Sequence, residues 1–164
     1  MDADWNRYNG GLGTATAVLG YYHLLPERAL MSEPLSRGVP KAEAYVIAST
    51  YSAFTKQFKV LLRLNAAHAR DALEETRVMF EEIDLRLADD PPYLVGDRLS
   101  LSDIALATAA GPVLLPKGYS SPMPALVHMP QSLQRIIREL RQHKTAMFVE
   151  RIYREHFNTT ISIA

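Results

Sequence analysis

Residues 93–107 read Tyr93-Leu94-Val95-Gly96-Asp97-Arg98-Leu99-Ser100-Leu101-Ser102-Asp103-Ile104-Ala105-Leu106-Ala107. Ser100 and Asp103 stand three apart ahead of an apolar run, the S-x-x-D spacing of a capping box. In such a box the Ser100 hydroxyl accepts from the Asp103 amide and the Asp103 carboxylate accepts from the Ser100 amide, which satisfies donors that a helix start otherwise leaves orphaned. The run that follows carries almost no charge after Asp103, so a helix over Leu101–Leu114, buried on most sides, is predicted. A capping box fixes where a helix begins and does no chemistry, so Ser100 and Asp103 are assigned to folding.

Apolar residues recur at steps of three and four on both sides of this segment, the period of a helix stripe. Upstream, Trp5, Tyr8, Leu12, Ala15, Leu19 and Tyr22 mark a long first helix that stops at Pro26. A second helix begins after Pro40 and is expected to bury Ile47, Tyr51, Phe54, Phe58 and Leu61. A third places Ala69, Leu73, Thr76, Phe80, Ile83 and Leu87 inside and ends before Asp90-Pro91-Pro92. Downstream, a loop from Leu115 to His128 leads to two closing helices, one marked by Leu133, Ile136, Ile137 and Leu140, the other by Phe148, Ile152 and Tyr153. The reading is an all-α bundle of about six helices in one domain over residues 1–164, with 158–164 a loose tail.

With 164 residues, 48% hydrophobic and 22% charged, the chain has the composition of one globular domain. Eighteen basic and eighteen acidic residues balance, so no net field draws it to nucleic acid or anionic lipid. It has no cysteine, which excludes disulfides, thiolate metal sites and a thiol nucleophile. Met1-Asp2-Ala3-Asp4-Trp5 lacks the basic and apolar regions of a signal peptide, and no apolar run approaches the roughly 20 residues that cross a bilayer, so a cytoplasmic protein without membrane contact is expected.

The turn Tyr93-Leu94-Val95-Gly96-Asp97, the capping box and the apolar helix after it together resemble the N-capping motif of the C-terminal domain of glutathione transferases. Leu12-Gly13, the run Tyr21 to Pro26, Arg37-Gly38-Val39-Pro40, Pro112 to Pro116 and Tyr153-Arg154-Glu155-His156 are similar to a bacterial branch of that superfamily. The resemblance implies an all-helical fold, a homodimer, and a pocket for a hydrophobic molecule between the first helix and the helix after Ser100. It covers the helical half alone; the thioredoxin-like half, which binds glutathione and activates its thiol, is expected to be missing. No cofactor is therefore required, and glutathione enters only if a separate thioredoxin-like partner chain supplies its site. Where the branch tends to carry a histidine and paired arginines after Leu-Gly, this chain has Thr14-Ala15-Thr16-Ala17-Val18.

The first helix also carries Gly10, Gly13, Ala17 and Gly20 at helical spacing, although each glycine costs about 1 kcal/mol in a helix interior. Close approach of another helix, in the fold or across a dimer, offsets that cost; room for a ligand does so too. Beside this face the spacing puts Arg7, Gly11, Thr14, Val18 and Tyr21, the expected ligand contacts, with Tyr119 reaching in from the proline-containing loop. Tyr21 is the catalytic candidate, since a phenol donates to a developing oxyanion, whereas Tyr22 is assigned to the core and His23 to a backbone bond at the helix end. The remaining histidines are scattered and none pairs at i, i+4 with a second ligand, so no metal is expected. Two further readings stand beside ligand binding and conversion: a non-catalytic protein–protein interaction module, and the helical half of a split transferase.

Overall fold

The computed structural model describes residues 2–31, 40–121 and 123–157, and of residues 2, 3 and 41–48 the backbone alone. The burial expected of the Ile47 side chain, the residues Arg37, Gly38 and Val39, and the expected tail 158–164 lie outside the described residues. Among the described residues all regular structure is helical. Helix α1 covers residues 2–24 in three stretches: α-helical Asp2–Trp5, π-helical Asn6–Leu12 and α-helical Gly13–Leu24. Then come α2 (Lys41–Leu61), α3 (Ala66–Arg86), α4 (Leu101–Leu114), α5 (Gln131–Leu140) and α6 (Lys144–Ile152), the last continued by a π-helical Tyr153–Phe157.

Helix α4 is the centre of the bundle. It packs against α1, α5 and α6, and α1 and α6 also pack against α3. Leu106, Ala107, Ala110 and Val113 of α4 are fully buried against Leu12 and Leu19 of α1, Phe80 of α3 and Ile152 of α6. Both ends of α4 are closed. At its start the Asp103 carboxylate accepts from the Ser100 amide at 2.7 Å, and the Asp103 amide donates to Ser100 Oγ at 3.4 Å. At its end Leu115 turns into the left-handed region at φ 48°, and Arg141 donates from Nε to Leu114 O at 2.8 Å and from Nη2 to Leu115 O at 3.2 Å.

Helix α2 departs from the sequence expectation. Tyr51 is buried and its hydroxyl donates to Leu25 O at 2.9 Å, but Phe58 is half-buried, Phe54 is exposed, and Leu61 is 75% exposed. A periodic apolar stripe identifies a helix face, and whether another element covers that face depends on tertiary placement that the period does not encode. The stripe of α1 is also shifted: Tyr8, Leu12, Ala15 and Leu19 are buried as expected, Trp5 is 38% exposed, and Thr16 and Val18 join the core. The π-helical stretch separates Trp5 from the register of the residues that follow it. The Gly13 amide donates to Tyr8 O, five residues back, and each such turn takes up one residue more than an α-turn, so later side chains rotate by about 100°.

Ion pairs tie the helix ends. Arg86 donates from Nη1 to Asp4 Oδ1 at 3.1 Å and to the Tyr8 hydroxyl at 2.6 Å, and Arg77 makes a two-pronged contact with Glu139 at 2.6 and 3.0 Å. The hydrogen bond from Arg86 holds the Asp4 carboxyl below the usual carboxylate range, and that from Arg77 does the same for Glu139. At Asp84 burial works to raise the pKa, but hydrogen bonds from the Thr145 hydroxyl and amide outweigh it and the net shift is downward. Burial lowers His23 as well. In each case the unfolded chain binds protons more readily than the folded one, so acid removes stability. The His23 contribution is lost as pH falls below about 6.5, and the carboxylate contributions as it falls below about 4. Urea midpoints at pH 7, 5.5 and 3.5 are therefore expected to decline in that order; an unchanged midpoint at pH 3.5 contradicts the assignment.

Candidate functional site

The small residues of α1 open a groove of about 460 Å³ toward α2 and α4. Gly13, Thr14, Ala17, Val18 and Tyr21 line it from α1, and Thr108, Ala109 and Pro112 line it from α4. Phe58 and Leu62 close the third side, with the Tyr21 and Phe58 rings edge to face at 5.1 Å. A smaller chamber of about 140 Å³ adjoins it, lined by Gly20, Leu24 and Met31 on one side and by Tyr119, Ser121 and Met123 of the loop on the other. Thr16, Ala17, Tyr21 and Pro112 border both spaces, so Tyr21 stands where groove and chamber meet.

A Cβ on Gly13 would make ordinary contacts, 3.5 Å from Tyr8 O and 3.8 Å from Ala109 Cβ, so the approach of α1 to α4 does not require a glycine there; the Thr16 hydroxyl joins the two helices by donating to Ala109 O at 2.7 Å. A Cβ on Gly20 would meet nothing within 4 Å, and the space it leaves is part of the chamber.

Of the residues expected at the site, the structure brings Thr14, Val18 and Tyr21 into the groove and Tyr119 into the chamber. Arg7 and Gly11 are corrections. Arg7 pairs with Glu82 on α3, and a Cβ on Gly11 would fall 2.8 Å from Met79 Cε, so both face α3 and not the groove. Both lie within the π-helical stretch, and the rotation it introduces separates them from Thr14, Val18 and Tyr21. His23 is a third correction: its Nδ1 meets the Ser132 hydroxyl at 3.1 Å and ties α1 to α5, in place of a backbone bond. Ser100 and Asp103 form the expected capping box. Sequence reasoning missed Phe58 and Leu62, assigning the former to the core, and it missed Thr108, whose signal was a hydroxyl in an otherwise apolar helix.

The polar groups of the site are neutral. Thr108 Oγ1 donates to Ile104 O at 2.8 Å, which leaves its lone pairs facing the groove as acceptors. Tyr21 is 38% exposed and its hydroxyl has no hydrogen-bond partner among the described residues. Burial, countered in part by Ser121, raises the Tyr119 pKa and keeps that phenol protonated. Such a surface, to which Asn9 and Thr14 add further neutral polar groups, can hold an apolar body and orient it through hydrogen bonds.

A larger cleft of about 650 Å³ lies beside Pro91, Pro92, Lys144 and Arg151. Its cations are engaged: Lys144 donates to Leu87 O, Ala88 O and Asp90, and Arg151 donates to Pro92 O at 2.6 Å while lying over the Phe148 ring. It reads as a brace for the loop after α3. Among the described residues no group of three or more His, Asp or Glu is placed to hold a metal ion, and no helix is long and apolar enough to cross a membrane.

No curated protein and no solved structure matches the chain. The family model for the glutathione S-transferase C-terminal domain matches residues 42–127, just over half of the 164 residues and a span that contains the capping box and all of α4. The chain belongs to the glutathione S-transferase C-terminal domain family.

Proposed function

We propose that this domain binds a small hydrophobic or aromatic molecule in the groove between α1 and α4, and that Tyr21 donates a hydrogen bond to it. The observation that carries the reading is the groove itself, walled by Ala17, Val18, Phe58 and Pro112, with the Tyr21 phenol, which has no hydrogen-bond partner among the described residues, at its border with the chamber. Where the bound molecule is converted, Tyr21 is the group placed to stabilise an oxyanion or to protonate a leaving group. The reading requires no glutathione; a thiol-transfer reaction needs a thioredoxin-like partner chain that brings the tripeptide and its binding residues.

A panel of uncharged aromatic compounds tests this by thermal shift. Binding to the native state at ten times Kd adds about 1.4 kcal/mol and raises the melting temperature by about 3–6 °C. Ala17→Phe, which fills the groove, is expected to abolish the rise. No compound producing a shift would sink the proposal.

A second reading, docking of another protein or a second copy, is favoured by α2, where Val60 and Leu61 are 74% and 75% exposed. It predicts concentration-dependent mass in light scattering that Val60→Glu removes, with no ligand response.

A further inference from the structure

We propose that the ligand is uncharged and built in two parts, with a single ring or short alkyl group seated in the 140 Å³ chamber and a larger body lying along the 460 Å³ groove. This rests on the groove being a binding site, and goes further by naming what the site selects.

Charge is the first ground. Among the described residues no Lys, Arg, His, Asp or Glu lines either space. Arg7 pairs with Glu82 and Arg141 with the carbonyls that end α4. An ionised group brought into such a site loses water and gains no counter-charge, which costs far more than a neutral polar group that finds a hydrogen bond. The hydrogen-bonding groups present match a neutral ligand: Tyr21 Oη donates to a carbonyl or ether, and Thr108 Oγ1 accepts from an amide or hydroxyl.

Shape is the second ground. The chamber is close to the roughly 150 Å³ of an apolar cavity known to take benzene. Two of its walls are Met31 and Met123, whose unbranched thioethers adapt to a flat group and contact ring edges favourably. Ala17 and Pro112 border both spaces, so a molecule with a slim link between its two parts can reach from the groove into the chamber.

The test compares biphenyl-4,4′-dicarboxamide with biphenyl-4,4′-dicarboxylate by calorimetric titration at neutral pH. The pair has one shape and differs in charge at both ends, so no orientation keeps charge out of the chamber. The diamide is expected to bind at least tenfold more tightly. Gly20→Leu fills the chamber from a position where an added Cβ meets nothing within 4 Å, and is expected to weaken diamide binding at least tenfold without lowering the melting temperature. A dicarboxylate that binds as well as the diamide, or wild-type affinity in Gly20→Leu, overturns the proposal. If both compounds bind equally and Ala17→Phe abolishes both, the groove stands and selection against charge falls. If neither they nor any apolar compound binds, the groove reading falls as well.

Discussion

Asp103→Ala is expected to lower the melting temperature by about 8–16 °C, the largest change for any single residue outside the apolar core. The carboxylate is fully buried and accepts from the Ser100 amide at 2.7 Å, the Ser100 hydroxyl at 2.6 Å and the Leu94 amide at 2.8 Å. Alanine removes the acceptor and leaves the two amides without a partner. Losing the cap costs about 1 kcal/mol and each unsatisfied buried donor about 1–3 kcal/mol, so a total near ~4 kcal/mol follows. Because the Leu94 bond anchors the 93–100 turn as well as the helix, the damage reaches the helix on which the groove is built. Ser100→Ala, whose bond from the Asp103 amide is a long 3.4 Å, should cost about 1 kcal/mol, and the exposed Asp97→Ala less than ~0.5 kcal/mol. An Asp103→Ala shift no larger than that of Asp97→Ala would show that the box is not what holds α4.

Gly111→Val is expected to cost about 3 kcal/mol and lower the melting temperature by about 6–12 °C. A Cβ at Gly111 would lie 2.7 Å from Tyr119 Cε2 and 3.0 Å from the Tyr153 hydroxyl, with both rings edge to face at 6.2 Å. Burial pushes Tyr153 up to about 12, so its hydroxyl is a neutral, closely packed neighbour. The valine methyls drive the Tyr119 ring away, and Tyr119 is a wall of the chamber, so ligand affinity should fall together with stability. Gly111→Ala separates the two effects, because alanine regains about 1 kcal/mol of helix propensity while still displacing the ring. Thermal melting of the two variants checks the prediction, and a Gly111→Val protein as stable as wild type contradicts the packing described.

The fold was legible in residues 93–107 because capping is local: Ser100 and Asp103 meet within one helical turn, and the apolar run that follows has one way to be satisfied. The inward positions of α3 were legible for a similar reason, since an unbroken α-helix keeps Thr76, Phe80, Ile83 and Leu87 in register. The site was half legible. Thr14, Val18 and Tyr21 follow the π-helical stretch and keep their spacing to one another. Arg7 and Gly11 do not, because the i→i+5 turns of Asn6–Leu12 break the α-helical register and no residue in that stretch announces it. Phe58 and Thr108 come to the groove from helices far apart in the chain, and that meeting is a tertiary fact without a local signature.

The groove is the central claim, and amide chemical shifts recorded while a neutral aromatic ligand is titrated into the wild-type chain test it most directly. The account predicts shifts concentrated at Thr14, Ala17, Val18, Tyr21 and Thr108, with Arg7 and Gly11 on the α3-facing side unmoved. Shifts centred instead on Asp90, Lys144 and Arg151, or on His23 and Ser132, would place binding elsewhere and contradict it.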